Sequence, residues 1–486
     1  MNTCPDKQKL AVIGNGMAGA RTIEEIMKRG GSDQFDITVW SEENYGNYNR
    51  ILLSNVLNGS QNAREIFLNP IDWYRYNNIT LHHGAAATHI DREAKRVLDA
   101  NGKSETYDKL IIATGSRPFV PPMEGLTLED GTPKPGVFVF RTIDDCQKIA
   151  GYANKSRRAV VIGGGLLGLE AARGLINYGC EVHVIHLSPR LMDAQLDELA
   201  GAMLLESVQK MGLQVHLEKS TAAILGDDMV TGLQFKDGSS LECDMVVLSC
   251  GIKPNVELAR DCGLSVGRAI EVNDQMQSVD DEDVYVVGEC AQHNGTVYGL
   301  VAPLWEQGRV LADHITGANP NATYRGSKIS TKLKVMGLEL ASMGVAARPE
   351  PTDEVVQWVE PSRGRYKKLV IRDGKLVGAI LLGETGNAGR LMQLFEHGGP
   401  LPEAREQLLF EMAPPVVNST SLEIMPDAAT VCNCNAVNKG TIRKCVLGGT
   451  REVEGVMRAT RAGTGCGSCK TLVREIVEWT VDSASA

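Results

Sequence analysis

Two segments of the chain repeat one hydropathic plan: a short apolar strand, a glycine-rich turn, then a helix-compatible stretch. The first reads KLAVIGNGMAGARTIEEIMKRG and the second RAVVIGGGLLGLEAARGLINYG. Each leads to another apolar run, DITVW after the first and EVHVIH after the second. Short apolar runs bounded by turn residues predict strands, so the plan is strand–turn–helix–strand, used twice. Two more apolar runs end in small residues, YDKLIIATGSRP and DVYVVGECAQHNG, and predict strands that exit into loops. Further on, YKKLVIRDGKLVGAILLGE carries Asp-Gly between apolar runs, a strong hairpin signal, and TGNAGRLMQLFEHGG is helix-like. Residues 411–429, with three prolines and several small polar residues, predict a linker.

The turns have a chemical reading. Both are G-x-G-x-x-G, at Gly14, Gly16 and Gly19 and again at Gly163, Gly165 and Gly168. The first glycine permits the tight turn, the second lets backbone approach a pyrophosphate, and the third lets helix pack on strand. The helix N-terminus adds partial positive charge. One such turn is equally an ordinary strand-to-helix corner, but two in the same context predict two bound dinucleotides. After DITVW stand Glu42 and Glu43. A carboxylate there can accept from ribose hydroxyls, and Glu43 is the first choice. After EVHVIH the place is held by His186, with Arg190 four residues on. A neutral imidazole does not repel a 2′-phosphate, so the choice between NADH and NADPH stays open; His186 as a plain loop residue is the alternative.

Composition narrows the class. At 486 residues about three domains are expected. The formal charge of −10 argues against nucleic acid and anionic membranes as partners. No apolar run reaches the length of a membrane span, and the N-terminus passes directly into a strand and glycine turn rather than a secretory signal. The twelve cysteines do not form a disulfide framework, and the expected compartment is the cytoplasm. Four cysteines stand apart: Cys432 and Cys434 as C-x-C, then 31 residues, then Cys466 and Cys469 as C-x-x-C. Four thiolates so spaced suit tetrahedral zinc or a 2Fe-2S cluster, and the C-x-C half tilts against zinc.

With both turns, the ATG segment (Ala113, Thr114, Gly115) and the Gly288–Glu289 pair, the sequence resembles the two-dinucleotide-binding-domain flavoprotein reductases. The resemblance implies an α/β fold in which the first turn takes FAD and the second NADH or NADPH, with NADH favoured. It further implies that the ATG strand crosses near the flavin and that Gly288 and Glu289 meet the ribityl chain. The nicotinamide domain would be inserted in the FAD domain, the return marked by VVLSCGIKPN around Gly251. YGNYNRILLSN is similar to the Y-x-R-x-x-L-S segment of ferredoxin-reductase and nitrite-reductase relatives, which places Arg50 near FAD; Asn55 stands where relatives often carry lysine. Disulfide reductases of this fold place a redox cysteine here. No cysteine lies between Cys4 and Cys146, so dithiol chemistry is not expected. The cysteine arrangement resembles the bacterioferritin-associated ferredoxin type of 2Fe-2S domain, a small helical fold.

The order of these motifs resembles the N-terminal part of NAD(P)H nitrite reductase large subunits and the electron-transfer subunits of assimilatory nitrate reductases. The expected domains are 1–118 and 250–322 for FAD, 119–249 for NAD(P)H, 323–410 as a small α+β domain, 411–429 as linker and 430–486 for the cluster. Apart from the four cluster cysteines, no cysteine pair has the spacing of a sirohaem module, and the chain runs 17 residues past Cys469. The expectation is therefore a dehydrogenase subunit with no catalytic acid, base or nucleophile. It would feed a separate terminal reductase, with a molybdenum nitrate reductase first and a sirohaem nitrite reductase second. A homodimer is consistent with the dimer-forming C-terminal domain of relatives. A reductase serving another acceptor and a redox-sensing module are the competing readings.

Overall fold

The computed structural model describes residues 7–335, 337–410, 422–423, 425–432, 435–465, 467 and 469–485. Much of the linker expected at 411–429 lies outside the described residues, as do Cys434 and Cys466. The chain divides into two compact units, one of residues 1–50, 63–117 and 252–327, the other of 51–62, 118–251 and 328–486.

The first unit is built on a five-stranded parallel sheet in the order Val284–Val286, Lys109–Ile112, Gln8–Ile13, Phe35–Ser41, Thr80–His83. Its strands are nearly continuous apolar runs because both faces are covered, as parallel sheets require. Leu10, Val12, Val39, Leu110, Ile112 and Val286 lie in one core. The helix Met17–Lys28 packs against Val301–Ile315. A Cβ on Gly308 would stand 2.8 Å from Thr22 Oγ1, which is how close the two helices come. Arg29 Nε donates to Asp313 across the same pair at 2.6 Å.

The second unit repeats the plan. Its parallel sheet runs Val137–Val139, Met245–Leu248, Arg158–Ile162, Glu181–Ile185, Gln214–His216. It also holds an antiparallel sheet in the order Ser330–Val335, Leu338–Gly344, Lys375–Leu382, Arg365–Arg372, Glu354–Glu360, covered by the helix Ala388–His397. The hairpin expected at Asp-Gly is there: Asp373 (φ 50°) and Gly374 (φ 70°) both sit in the left-handed region that a two-residue hairpin turn requires. Asp197, which caps the helix Glu198–Lys210, ties that helix to the antiparallel sheet, accepting from Tyr366 Oη at 2.5 Å and Lys368 Nζ at 2.8 Å.

Two buried lysines bracket the stretch expected as linker. Lys367 donates to the carbonyl of Leu409 at 2.8 Å and to Glu384 at 3.1 Å, with its ammonium over the rings of Trp358 and Phe410. Lys439 donates to the carbonyls of Leu422 and Met425, with its ammonium 4.6 Å from the Trp479 ring centroid. An ammonium that loses water in this way must be repaid by acceptors and aromatic faces, and both have them. The cluster region is helical as expected: Lys439–Leu447, Val453–Thr460 and Lys470–Ser485 close over Ile442, Val456, Val473 and Ile476. Cys445 packs on this core, half-buried.

Candidate functional site

In both glycine turns the strand's backbone rise hands the chain to a helix through a residue with positive φ, 109° at Gly14 and 124° at Gly163. A side chain is barred there twice over. A Cβ on Gly14 would meet the Ala113 carbonyl oxygen at 2.2 Å, and one on Gly163 the Ser249 oxygen at 2.1 Å. The third glycines are as tight, Gly19 at 2.1 Å from the Gly14 oxygen and Gly168 at 1.9 Å from that of Gly163. The middle glycines differ: a Cβ on Gly16 or Gly165 would meet no non-neighbouring atom within 4 Å. Each turn is thus packed at its first and third glycine and open at its second. That is the shape of a pyrophosphate cradle. Both turns are also pinned alike, Gly14 N–H donating to the Trp40 carbonyl and Gly163 N–H to that of Ile185.

These matched bonds align His186 with Ser41 and Ser188 with Glu43. In the first unit Glu43 is held by two neighbours. Tyr48 Oη donates to its Oε2 at 2.7 Å, and the Arg50 guanidinium pairs with its Oε1. Arg50 also lies over the Tyr48 ring, 5.0 Å from the centroid. Burial disfavours the Arg50 charge, but Tyr48, Glu43 and Glu289 outweigh it and hold its pKa above the usual guanidinium value. A carboxylate has about four acceptor sites, so Glu43 keeps capacity for ribose hydroxyls. In the second unit His186 turns inward, its Nδ1 accepting from Gly164 N–H at 3.1 Å. Burial lowers its pKa, with Asp193 pulling weakly the other way, so the ring is neutral at neutral pH and Nδ1 is free to accept. Arg190 donates to the carbonyls of Leu196 and Asp193 and lines a cavity of about 400 Å³ with Asp197, Glu198 and Arg348.

The remaining first-unit residues converge. Thr114 and Gly115 are fastened by Asn255: Thr114 Oγ1 donates to the Asn255 carbonyl at 2.8 Å, and Asn255 Nδ2 returns a bond to the Thr114 carbonyl at 3.0 Å. Asn255 N–H donates to the Gly115 carbonyl at 2.9 Å. Ser116 Oγ reaches Glu289 at 2.5 Å, linking the ATG segment to the Gly288–Glu289 corner. Gly288 N–H donates to Gln307 Oε1 at 3.0 Å. Two buried amide donors, Asn15 Nδ2 beside Gly14 and Gln307 Nε2 beside Gly288, have no hydrogen-bond partner among the described residues. Buried donors left over in this way are those a bound polar group satisfies. The first turn, the ATG segment and the Gly288 corner therefore fit a dinucleotide. Trp305 is buried, its ring under the Arg21 guanidinium.

Two residues along each helix from the third glycine stand Arg21 and Glu170. Arg21 is paired with Glu24 and Glu25. Glu170 is half-buried with its carboxyl end sheltered, and that desolvation pushes the carboxyl up to about 7 against the pull of Ser54 and Arg173. Thiol chemistry is disfavoured in the same terms: burial pushes Cys146 and Cys243 to about 12 and Cys250 to about 11, so all three remain protonated.

Of the four cysteines expected to hold a cluster, Cys432 is buried at the end of the strand Thr430–Cys432 and Cys469 precedes the helix Lys470–Ser485. Among the described residues no group of three His, Cys, Asp or Glu is placed to hold a metal ion. The described segments at Cys432 and at Arg461–Thr464 are nevertheless joined by Asn435. Its Nδ2 donates to the Arg461 carbonyl at 2.7 Å and to Thr464 Oγ1 at 3.2 Å, and lies 3.9 Å from Cys432 Sγ. A 2Fe-2S cluster held by both pairs fits segments so joined. Sequence reasoning missed Asn255, Gln307 and Asn435; each works through a partner distant in sequence, and only Asn435 gave a signal, sitting one residue past Cys434.

Comparison with known proteins places these features. Residues 8–308 match the pyridine nucleotide-disulphide oxidoreductase model, 330–398 the rubredoxin NAD+ reductase C-terminal domain and 430–479 the BFD-like 2Fe-2S binding domain. The chain is 42% identical over 478 residues to the NAD(P)H nitrite reductase of Bacillus subtilis and likewise 42% identical to the assimilatory nitrate reductase electron transfer subunit of that organism. It is covered to 98% in both cases and spans 58% and 60% of the length of those relatives. Among solved structures, an NAD-dependent persulfide reductase from A. fulgidus superposes with a TM-score of 0.72 at 28% identity, covering 81% of this chain and 77% of that one. The ferredoxin reductase from Rhodopseudomonas palustris superposes with a TM-score of 0.74 at 24% identity, covering 83% and 97%, and shows the shared fold. Among the described residues no helix is long and apolar enough to cross a membrane. The chain is a two-dinucleotide-binding α/β NAD(P)H oxidoreductase whose cofactors are FAD, NAD(P)H and a 2Fe-2S cluster, and it belongs to the pyridine nucleotide-disulphide oxidoreductase family.

Proposed function

We propose that this chain oxidises NADH, or NADPH, and delivers the electrons to a separate terminal reductase of nitrate or nitrite assimilation in the cytoplasm. The observation that carries the reading is the presence, in one chain, of two open glycine cradles and of segments at Cys432 and at Arg461–Thr464 joined by Asn435. The names of the two Bacillus subtilis relatives support the acceptor class. FAD takes a hydride pair and releases electrons singly, which suits it to a 2Fe-2S cluster.

The protein's own work is binding, orientation and charge. Gly14, Gly16 and Gly19 cradle the FAD pyrophosphate, Glu43 receives the ribose, and Arg50, Ala113, Thr114, Gly115, Gly288 and Glu289 line the flavin. Gly163, Gly165, Gly168 and His186 receive the nicotinamide dinucleotide. Cys432, Cys434, Cys466 and Cys469 hold the cluster. The domains run 1–118 with 250–322, 119–249, 323–410, 411–429 and 430–486, and a homodimer is the assembly expected.

The test is the double variant Cys432→Ser, Cys469→Ser in the full chain. Reduction of bound flavin by NADH, followed by absorbance under argon, should be retained, while iron content and NADH-driven reduction of a protein acceptor should fall at least tenfold. Undiminished delivery to the protein acceptor sinks the reading.

A further inference from the structure

The cluster region is charged unlike the rest of the chain. Residues 430–486 hold eight Lys and Arg against five Asp and Glu, whereas residues 1–429 hold 42 against 55. The imbalance is also local. From Ala428 to Arg451 and from Gly455 to Arg474 there is no carboxylate, and these are the two stretches that contain the cysteines. All five acids lie outside them, at Glu452, Glu454, Glu475, Glu478 and Asp482.

The structure sorts these cations by availability. Lys439 is buried over Trp479, and Arg443 is bound to Asp427 at 2.8 Å, so both serve the fold. Arg451, Arg458, Lys470 and Arg474 are exposed, and none makes an ion pair among the described residues. Lys470 follows Cys469 directly, Arg474 is one helical turn on, and Arg458 lies in the last turn of the helix Val453–Thr460.

The long helix Lys470–Ser485 makes the placement stand out. Its first turn has no acid, its N-terminal end carries Lys470 and Arg474, and Glu475, Glu478 and Asp482 follow toward the C-terminal half. A helix is stabilised by the opposite arrangement, acids first and bases last. The order therefore works against the helix while putting positive charge beside the cysteine loops. On a chain with a formal charge of −10, a basic rim is a face that attracts an acidic protein.

We infer that Arg458, Lys470 and Arg474 form the docking surface through which the cluster region receives an acidic face of its electron acceptor. The inference rests on the delivery role proposed above, and the occupant is a separate protein with a carboxylate-rich patch around its redox centre.

The experiment uses the full-length, cofactor-loaded chain with two protein probes, acidic cytochrome b5 and basic cytochrome c, each tested for binding by titration and for NADH-driven reduction. Wild type should bind cytochrome b5 more tightly than cytochrome c, and its affinity should fall about tenfold or more between low and 0.2 M salt. The triple variant Arg458→Gln, Lys470→Gln, Arg474→Gln should lose about tenfold in cytochrome b5 affinity at low salt and most of the salt dependence. Its flavin reduction by NADH and its iron content should match wild type. The control variant Glu478→Gln, Asp482→Asn, on the far half of the same helix, should bind cytochrome b5 as wild type does.

Equal losses toward both cytochromes would show that the rim only balances the charge of the cluster and would overturn the inference, as would salt-independent binding. Binding that follows the rim, combined with undiminished delivery from the cysteine double variant, would leave the docking surface standing and overturn the delivery role instead.

Discussion

The turn at Gly14–Gly19 and the turn at Gly163–Gly168 have the same backbone and opposite electrostatics. Both are closed at the first and third glycine by carbonyl oxygens near 2 Å from any added Cβ, and both are open at the second. Beyond that frame they part. The first carries Arg21 on its helix and a carboxylate, Glu43, clamped by Tyr48 and Arg50 after its second strand. The second carries the buried carboxyl of Glu170 and a neutral His186 bonded to Gly164. On the reading proposed above, sterics fix where a pyrophosphate lies, and the side chains around it decide which dinucleotide is kept and which is exchanged. A site for a resident cofactor gains from fixed, paired charges. One for a substrate that comes and goes is better served by groups whose charge is weak at neutral pH, a neutral imidazole and a carboxyl that is only part-ionised.

The comparison breaks most sharply at the glycines. Gly14→Ala and Gly163→Ala each force a positive φ and a clash on backbone, at a cost of several kcal/mol. Thermal melts should show lost stability for both. An added Cβ in Gly16→Ala or Gly165→Ala would meet no non-neighbouring protein atom within 4 Å, so each should match wild type within about 1 kcal/mol when both are melted without bound cofactor. The first should nonetheless purify without flavin, and the second should keep flavin but lose reduction by NADH. Retained binding in either would mean that the turn is only a corner.

Glu170→Gln sharpens the electrostatic half. Because Glu170 binds its proton more tightly in the folded chain than in the unfolded one, stability falls as pH rises from the ordinary value of 4.5 to about 7 and levels off above. Removing the titration should flatten that slope and gain at most about 3 kcal/mol at pH 8, read as urea midpoints at pH 5 and pH 8. A slope unchanged by the substitution would reject the buried carboxyl as its source. Tyr48→Phe takes one donor from Glu43, a bond to a charged group worth about 1.5–3 kcal/mol. FAD affinity should fall about tenfold or more, measured by flavin release on dilution, with NADH affinity unmoved. His186→Ala is the smallest change. It should cost about 1 kcal/mol and raise KM for NADH a few-fold at constant kcat, since the imidazole supports the turn through Gly164 without meeting the reacting atoms.

The parts of this architecture that the sequence displays are those governed by neighbours along the chain. The glycine turns announce themselves because left-handed φ and close backbone packing admit only glycine at Gly14 and Gly163. The hairpin at Asp373–Gly374 follows from the same backbone rule. What stayed hidden depends on distant partners. Asn255 meets Thr114 across 141 positions, and Asp197 meets Lys368 across 171. Neither pairing leaves a local pattern, because asparagine and lysine are ordinary surface residues until the fold buries them. His186 shows the limit differently. The bonds of Gly14 and Gly163 put His186 opposite Ser41 and Ser188 opposite Glu43, so the two residues chosen by counting from the strands stand two positions apart in the shared frame.

The two buried lysines carry an evolutionary consequence. Lys367 and Lys439 hold carbonyl oxygens of Leu409, Leu422 and Met425, groups that every amino acid supplies. The gripped positions are therefore at liberty to drift among apolar residues of similar size, while the cations and the aromatic rings beneath them are not. Descendants of this chain should keep the two hands and change what they hold.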